Sequence, residues 1–142
     1  MCNLFVLEDD LVQQYIIKAN LAQFKVFQDI SYYENGSPLV DYLHANKTNP
    51  DCLPDMMFVD LEMPGVNGWK VLDELNKLNN SLCKQIIVYI ITTSISLGDR
   101  IRALKYDFVR EFISKPVTKQ TYIEISRDAE KMVSGSPEME AS

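Results

Sequence analysis

Residues 56–68, MMFVDLEMPGVNG, give the clearest indication of the fold. Its apolar residues run without interruption into a carboxylate, Asp60, and the chain then turns through a Met-Pro-Gly segment. A continuous apolar run is typical of a strand that is buried on both faces of a parallel sheet. The turn residues predict that the strand stops at Asp60, so a charge stands where a buried strand ends.

The rest of the chain repeats this pattern of a short apolar run followed by an amphipathic stretch. Alternating strands and helices are typical of an α/β fold in which helices cover both faces of a parallel sheet. Polar residues interrupt the second run, so we expect it at a sheet edge. The runs predicted as strands are LFVL (4–7), VFQDI (26–30), MMFV (56–59), IIVYII (86–91) and VREFIS (109–114), and the predicted helices are 11–24, 37–46, 67–78, 96–106 and 118–133.

We predict one domain, residues 1–134, and a flexible C-terminal tail, residues 135–142, which carries little apolar surface. Ser37 is the expected N-cap of the second helix. The first helix places four residues on one stripe, which an amphipathic helix normally turns toward the core. These residues are Val12, Tyr15, Ile16 and Ala19.

The composition argues against several classes of function. The chain has 20 acidic and 14 basic residues and a net charge of −6, so we expect neither a nucleic-acid partner nor an anionic membrane. It shows neither a signal peptide nor an apolar stretch near the roughly 20 residues of a membrane span, and we expect it in the cytoplasm. The 3 cysteines form no C-x-x-C pair, which indicates reduced, mostly packed thiols.

Polar side chains follow the predicted strands at their carboxyl ends, where open α/β sheets bind ligands. If the first and third strands are neighbours, their acids converge on one shallow site. A hydroxyl and an ammonium then arrive from the fourth and fifth strands. The residues concerned are Glu8, Asp9 and Asp10, then Asp60, then Thr92, Thr93 and Ser94, and finally Lys115.

Clustered carboxylates repel one another by several kcal/mol at an effective dielectric constant of about 20, so the site takes up a proton or a divalent cation. Oxygen ligands without His or Cys favour Mg²⁺. A carboxylate beside Mg²⁺ that faces a hydroxyl and a lysine suits attack on a phosphoryl group. Asp60 would be the nucleophile, Thr92 a hydrogen-bond donor, and Lys115 a counter-charge.

Four motifs together resemble the response-regulator receiver domain of two-component signalling, in its stand-alone, chemotaxis-regulator-like form. They are EDD (8–10), FVDLEMPGVNGW (58–69), TTS (92–94) and SKPVT (114–118), and the resemblance covers roughly residues 3–133. Each motif alone is common, but four in the right order, each after its strand, are specific. The resemblance implies a (βα)5 flavodoxin-like fold with strand order 2-1-3-4-5.

The resemblance also implies a metal site. Glu8 and Asp9 would hold Mg²⁺ directly or through water, together with the phosphoacceptor Asp60 and the backbone carbonyl of Glu62. The direction of Asp10 is left open, since the acids after the first strand could also cap a helix. Glu62 and Ser94 occupy positions that tune loss of the phosphoryl group in this family.

Further roles follow from the same resemblance. Thr92 and Lys115 would bind the phosphoryl group, and Thr92 and Phe112 would form the switch. The peptide bond before Pro116 is expected to be cis. Phosphorylation would change the face formed by the fourth helix, fifth strand and fifth helix, which would bind a downstream protein or a second copy of the chain.

The predicted function is therefore that of a single-domain response regulator. It would accept a phosphoryl group from a sensor histidine kinase or a histidine phosphotransfer protein. It would assist its own phosphorylation and dephosphorylation at Asp60 without being an enzyme. One alternative is a pseudo-receiver, a binding module that is never phosphorylated. Others are a Mg²⁺-dependent phosphatase with an aspartyl nucleophile and, on fold class alone, a flavodoxin-like electron carrier.

Overall fold

Five strands and five helices alternate along the chain, as the sequence predicts. The computed structural model describes residues 1–134, and the tail predicted at 135–142 lies outside the described residues. The elements are β1 (Asn3–Leu7), α1 (Leu11–Leu21), β2 (Asp29–Tyr33), α2 (Gly36–Ala45), β3 (Met56–Val59), α3 (Gly68–Leu78), β4 (Ile87–Thr92), α4 (Leu97–Ala103), β5 (Val109–Ser114) and α5 (Lys119–Val133).

The strands form one parallel sheet in the order β2-β1-β3-β4-β5, which confirms the predicted flavodoxin-like topology. In this order β1 lies between β2 and β3, and Leu7 at its end pairs with Val59 at the end of β3. The residue after each strand therefore emerges at the same edge. The Asp60 amide donates to the Leu7 carbonyl at 3.1 Å, which fixes this register.

Helices cover both faces of the sheet, and each face has its own apolar core. The core on one face joins α2 and α3 to the sheet, and the core on the other joins α1 and α5 to it. Every residue of β3 and β4 is buried, which explains their uninterrupted apolar sequences. Among residues 1–134, no helix has the length and apolar character that crossing a membrane requires.

The bounds predicted for the second strand are wrong. The strand is Asp29–Tyr33, and the apolar pair Val26 and Phe27 lies in the segment before it. Both side chains are buried against the α1 and α5 core, and the Cys2 amide donates to the Val26 carbonyl at 2.8 Å. The two apolar residues therefore indicate a buried segment and not a strand. The strand itself lies at the sheet edge, as expected from its polar residues.

The predicted apolar stripe of α1 faces solvent. Val12 is 64% exposed and Tyr15 is 72% exposed, whereas Ile17 and Leu21 are buried against the sheet. The helix carries more apolar residues than one face can bury, and the i, i+4 pair Ile17 and Leu21 takes the inner position.

The predicted N-cap of α2 is also wrong by two residues. Asn35 caps the helix by accepting the Ser37 amide at 2.8 Å, and the helix begins at Gly36. The Gly36 amide donates outward to the Val66 carbonyl at 3.0 Å, which ties the start of α2 to the loop after β3.

The three cysteines are in the reduced form but differ in burial. Cys2 is buried, Cys52 is half-buried, and Cys83 is exposed, so the prediction of mostly packed thiols holds fully for Cys2 alone. Burial, with a further contribution from the negative charge of Asp55, raises the pKa of the Cys2 thiol to about 12.

A lysine anchors the long segment between α2 and β3. The Lys84 ammonium donates to the carbonyls of Pro50 at 3.0 Å and Leu53 at 3.1 Å, and it pairs with Asp55 at 2.8 Å. Asp55 in turn accepts the Asn3 amide at 2.8 Å. The segment is therefore fixed to the amino ends of β1 and β3, at the opposite edge from the acids.

We expect Lys84→Met to lower the free energy of unfolding by about 1–3 kcal/mol, because one change removes three charge-assisted contacts. Urea unfolding of the variant measures the loss. Lys77→Met is the matched control: Lys77 is 69% exposed, and its one ion pair within residues 1–134 is with Glu74 on its own helix. Its removal should therefore cost less than about 0.5 kcal/mol. Equal unfolding midpoints for the two variants would contradict this role of Lys84.

Gly68, the first residue of α3, allows that helix to approach the end of β3. A Cβ at this position would collide with the Asp60 carbonyl oxygen and would come within 2.9 Å of the Leu61 Cα. Both neighbours are backbone, which cannot move aside as a side chain can. The loop after Asp60 is therefore packed directly against the start of α3.

Gly68→Ala is expected to destabilise the fold by about 1–3 kcal/mol through overpacking. Gly98 in α4 provides the matched control, because an added Cβ there would lie 3.5 Å from the Ser96 hydroxyl, an ordinary van der Waals contact. Gly98→Ala should leave stability unchanged or raise it by up to about 1 kcal/mol. Thermal unfolding of both variants tests the pair, and a Gly68→Ala protein as stable as the wild type would refute the close approach.

Candidate functional site

Three carboxylates meet at the carboxyl ends of β1 and β3. Glu8 and Asp60 follow these neighbouring strands directly and are 2% and 6% exposed, and Asp9 is half-buried. Each of the three offers an oxygen, and these oxygens all lie within 4.8 Å of one another. The structure thus brings together the three acids that the sequence predicts as side-chain metal ligands.

Lys115, which follows β5, reaches across to two of these acids. Its ammonium lies 2.5 Å from Glu8 Oε1 and 3.0 Å from Asp60 Oδ2. The Lys115 amide donates to the Thr92 carbonyl at 2.8 Å, which holds the chain against the end of β4. The Lys115–Pro116 peptide bond is cis, as the family resemblance implies. The lysine therefore links the end of β5 to the ends of β1, β3 and β4.

Burial and neighbouring charges shift the pKa values of Glu8 and Lys115. Burial raises the pKa of the Glu8 carboxyl against the opposing attraction of Lys115. Burial alone would lower the pKa of Lys115, but its hydrogen bonds to Glu8 and Asp60 outweigh burial and raise it. The ammonium therefore keeps its proton between the two acids.

The donor set fits a divalent cation. Three carboxylates face one ammonium, so negative charge remains in excess, and all the side-chain ligand atoms are oxygens. Oxygen ligands of this kind are those that Mg²⁺ prefers. The geometry of the cluster is consistent with the predicted cofactor.

Both oxygens of Asp60 are held in place. Oδ2 accepts from Lys115, and Oδ1 accepts the backbone amide of Glu62 at 3.1 Å. The exposed Glu62 side chain extends to the next loop, where its Oε1 accepts the Thr93 hydroxyl at 3.1 Å. Asp60 is therefore presented in a fixed orientation beneath a contact between two loops.

The predicted switch residues lie on β4 and β5. Thr92 is fully buried, and its hydroxyl oxygen accepts the Ser94 amide at 3.3 Å. Phe112 is 5% exposed, so its ring already lies inward, with the Arg100 guanidinium 5.9 Å from the ring centroid. Their switching role stays a prediction.

The structure gives the contacts of Asp10 and Ser94, which the motifs alone do not. Asp10 caps α1 by accepting the Val12 amide at 2.9 Å, so it acts as a helix cap and is not one of the three clustered acids. Ser94 donates to Asp99 of α4 at 2.7 Å, whereas Thr93 contacts Glu62. The sequence analysis names Thr93 but gives it no role of its own, because Thr92, Thr93 and Ser94 are consecutive hydroxyl residues and only the path of the loop distinguishes them.

Comparison with known proteins supports the family resemblance. Residues 4–127 match the family model described as the response regulator receiver domain. The chain is similar to the protein PilH of Pseudomonas aeruginosa, with 27% identity over 123 residues that cover 87% of this chain and 93% of PilH.

Solved structures share the fold. A two-component response regulator from Cytophaga hutchinsonii superposes with a TM-score of 0.78 at 19% identity, over 91% of this chain and 96% of its own. The receiver domain of a sensor histidine kinase from Pseudomonas aeruginosa PAO1 superposes with a TM-score of 0.69 at 18% identity, over 94% and 98% of the two chains. That domain was solved with a magnesium ion coordinated in its active-site cleft. With the family match over residues 4–127, this chain belongs to the response regulator receiver domains of two-component signalling.

Proposed function

We propose that this receiver domain, residues 1–134, accepts a phosphoryl group on Asp60 from a phosphohistidine of a sensor histidine kinase or a histidine phosphotransfer protein. The observation that carries the proposal is the placement of Asp60. Its carboxylate is buried, fixed by Lys115, and adjacent to Glu8 and Asp9. A nucleophile held in this way needs little reorganisation before it attacks.

The transfer would proceed by in-line displacement at phosphorus. An Asp60 oxygen forms the new bond to phosphorus, and the bond between phosphorus and the imidazole nitrogen breaks. The electron pair of that bond returns to the imidazole, which takes a proton from solvent. Lys115 stands 3.0 Å from Asp60 Oδ2, where its ammonium would neutralise charge on the phosphoryl oxygens.

Glu8, Asp9 and Asp60 would hold Mg²⁺ together with the backbone carbonyl of Glu62. The cation supplies positive charge beside the phosphoryl oxygens when it is bound. The magnesium ion in the cleft of the Pseudomonas aeruginosa receiver domain supports this assignment. Glu8 would have to share its carboxylate between the cation and Lys115, which it contacts at 2.5 Å.

The modified Asp60 would change the partner-binding face through Thr92 and Phe112. The Thr92 hydroxyl would donate to the phosphoryl group, and Phe112 would be stabilised in its inward position. Apolar residues of α4 and of its C-cap are exposed on this face, where a downstream protein or a second copy of the chain would bind. They are Leu97, Ile101 and Leu104.

Intact-mass spectrometry after incubation with acetyl phosphate tests the proposal. The wild-type chain should gain one phosphoryl group in the presence of Mg²⁺ and none without it. Asp60→Asn should remain unlabelled, because the amide is a far weaker nucleophile than the carboxylate. Asp10→Asn is the matched control: Asp10 is an exposed acid that caps α1, and this variant should label like the wild type.

The other outcomes point to the alternatives. A folded chain that never gains mass, and that also fails to bind beryllofluoride, would be a pseudo-receiver. Repeated release of phosphate from excess substrate would indicate a phosphatase. Labelling of Asp60→Asn at the wild-type rate would place the acceptor elsewhere and refute the proposed role of Asp60.

A further inference from the structure

We propose that Thr93 is a positioning residue that holds the Glu62 carboxylate across the mouth of the Asp60 site. This contact, the Glu62–Thr93 bridge, would slow both entry of small phosphodonors and hydrolysis of the phosphoryl group. The inference rests on the proposed phosphorylation of Asp60 and adds a residue that regulates it.

The bridge joins the loops that follow two adjacent strands. Glu62 lies two residues beyond Asp60, and Thr93 is the first residue after β4, which pairs with β3. The Thr93 hydroxyl donates to Glu62 Oε1 at 3.1 Å. Both side chains are exposed, whereas Asp60 between these loops is 6% exposed. The bridge therefore lies on the solvent side of the acceptor.

The backbone beneath the bridge is tied to the acceptor itself. The Glu62 amide donates to Asp60 Oδ1 at 3.1 Å, so the start of the Glu62 side chain has a fixed position relative to Asp60. Within residues 1–134, the Thr93 hydroxyl is the only side-chain group that hydrogen-bonds to the Glu62 carboxylate. Lys115, the nearby cation, contacts Glu8 and Asp60 instead. The direction of Glu62 thus depends on Thr93.

The direction of attack in hydrolysis explains why the position of the Glu62 carboxylate matters. In hydrolysis, a water oxygen bonds to phosphorus from the side opposite Asp60, the bond from phosphorus to the Asp60 oxygen breaks, and the carboxylate reforms. The water proton passes to solvent and inorganic phosphate leaves. A phosphodonor approaches along the same line. The negative charge of Glu62 repels anionic donors there, and its bulk obstructs water.

Thr93→Val removes the hydroxyl and keeps the shape of the side chain, so it releases Glu62 without opening a gap. Loss of one hydrogen bond corresponds to a rate change of about two- to tenfold. We expect phosphorylation by acetyl phosphate and hydrolysis of the phosphorylated chain to become faster by this factor. Thr93→Ser keeps the donor and should retain wild-type rates. Both rates are followed by intact mass in Mg²⁺.

A double-mutant cycle distinguishes an effect of Thr93 that acts through Glu62 from one that does not. If Thr93 acts through Glu62, Thr93→Val should change neither rate further in a Glu62→Ala background. Equal rates for Thr93→Val and wild type, or a full Thr93→Val effect in the Glu62→Ala background, would overturn the inference. In both cases the wild-type chain still labels, so the proposed function stands. A wild-type chain that takes up no phosphoryl group would refute both.

Discussion

The Lys115 ammonium holds the site together by pairing with both of its buried carboxylates. Two buried carboxylates at the ends of neighbouring strands would repel each other, and Lys115 lies within 3.0 Å of both. The lysine directly follows β5, which lies two strands away from β3 across β4. The contact therefore forms only when the parallel register places the ends of β1, β3 and β5 at one edge. The cis peptide at Pro116 follows immediately.

Most of the fold was predictable, because burial dictates which residues of a strand or helix must be apolar, and that pattern is visible in the sequence. The bounds of the third strand are correct, and those of the other central strands are correct within one residue, since residues buried on both faces give continuous apolar runs. The predicted bounds of the edge strand β2 are displaced, because Val26 and Phe27 lie before the strand yet are buried, and buried apolar residues resemble a strand in sequence. The helix α1 was oriented wrongly, because its apolar residues outnumber those that one face can bury.

The acids and the lysine of the site were also predictable, since each lies within two residues of the end of a strand that the sequence identifies. Neighbouring polar residues were not distinguishable. Asp9 and Asp10 differ by one step along the chain, yet one lies in the carboxylate cluster and the other caps α1. Thr93 and Ser94 show the same contrast, because their contacts depend on the path of a loop. Sequence reasoning finds the edge of the sheet but does not give the direction of each side chain there.

The most direct measurement of this site is a titration of the chain with Mg²⁺, followed by heteronuclear NMR of the backbone amides. If Glu8, Asp9 and Asp60 form one cation site, the chemical shift changes should concentrate at the carboxyl ends of β1, β3 and β5. Asp60→Asn should then weaken Mg²⁺ binding by at least about tenfold. Shift changes spread over the surface acids, or an unchanged affinity in Asp60→Asn, would contradict the account.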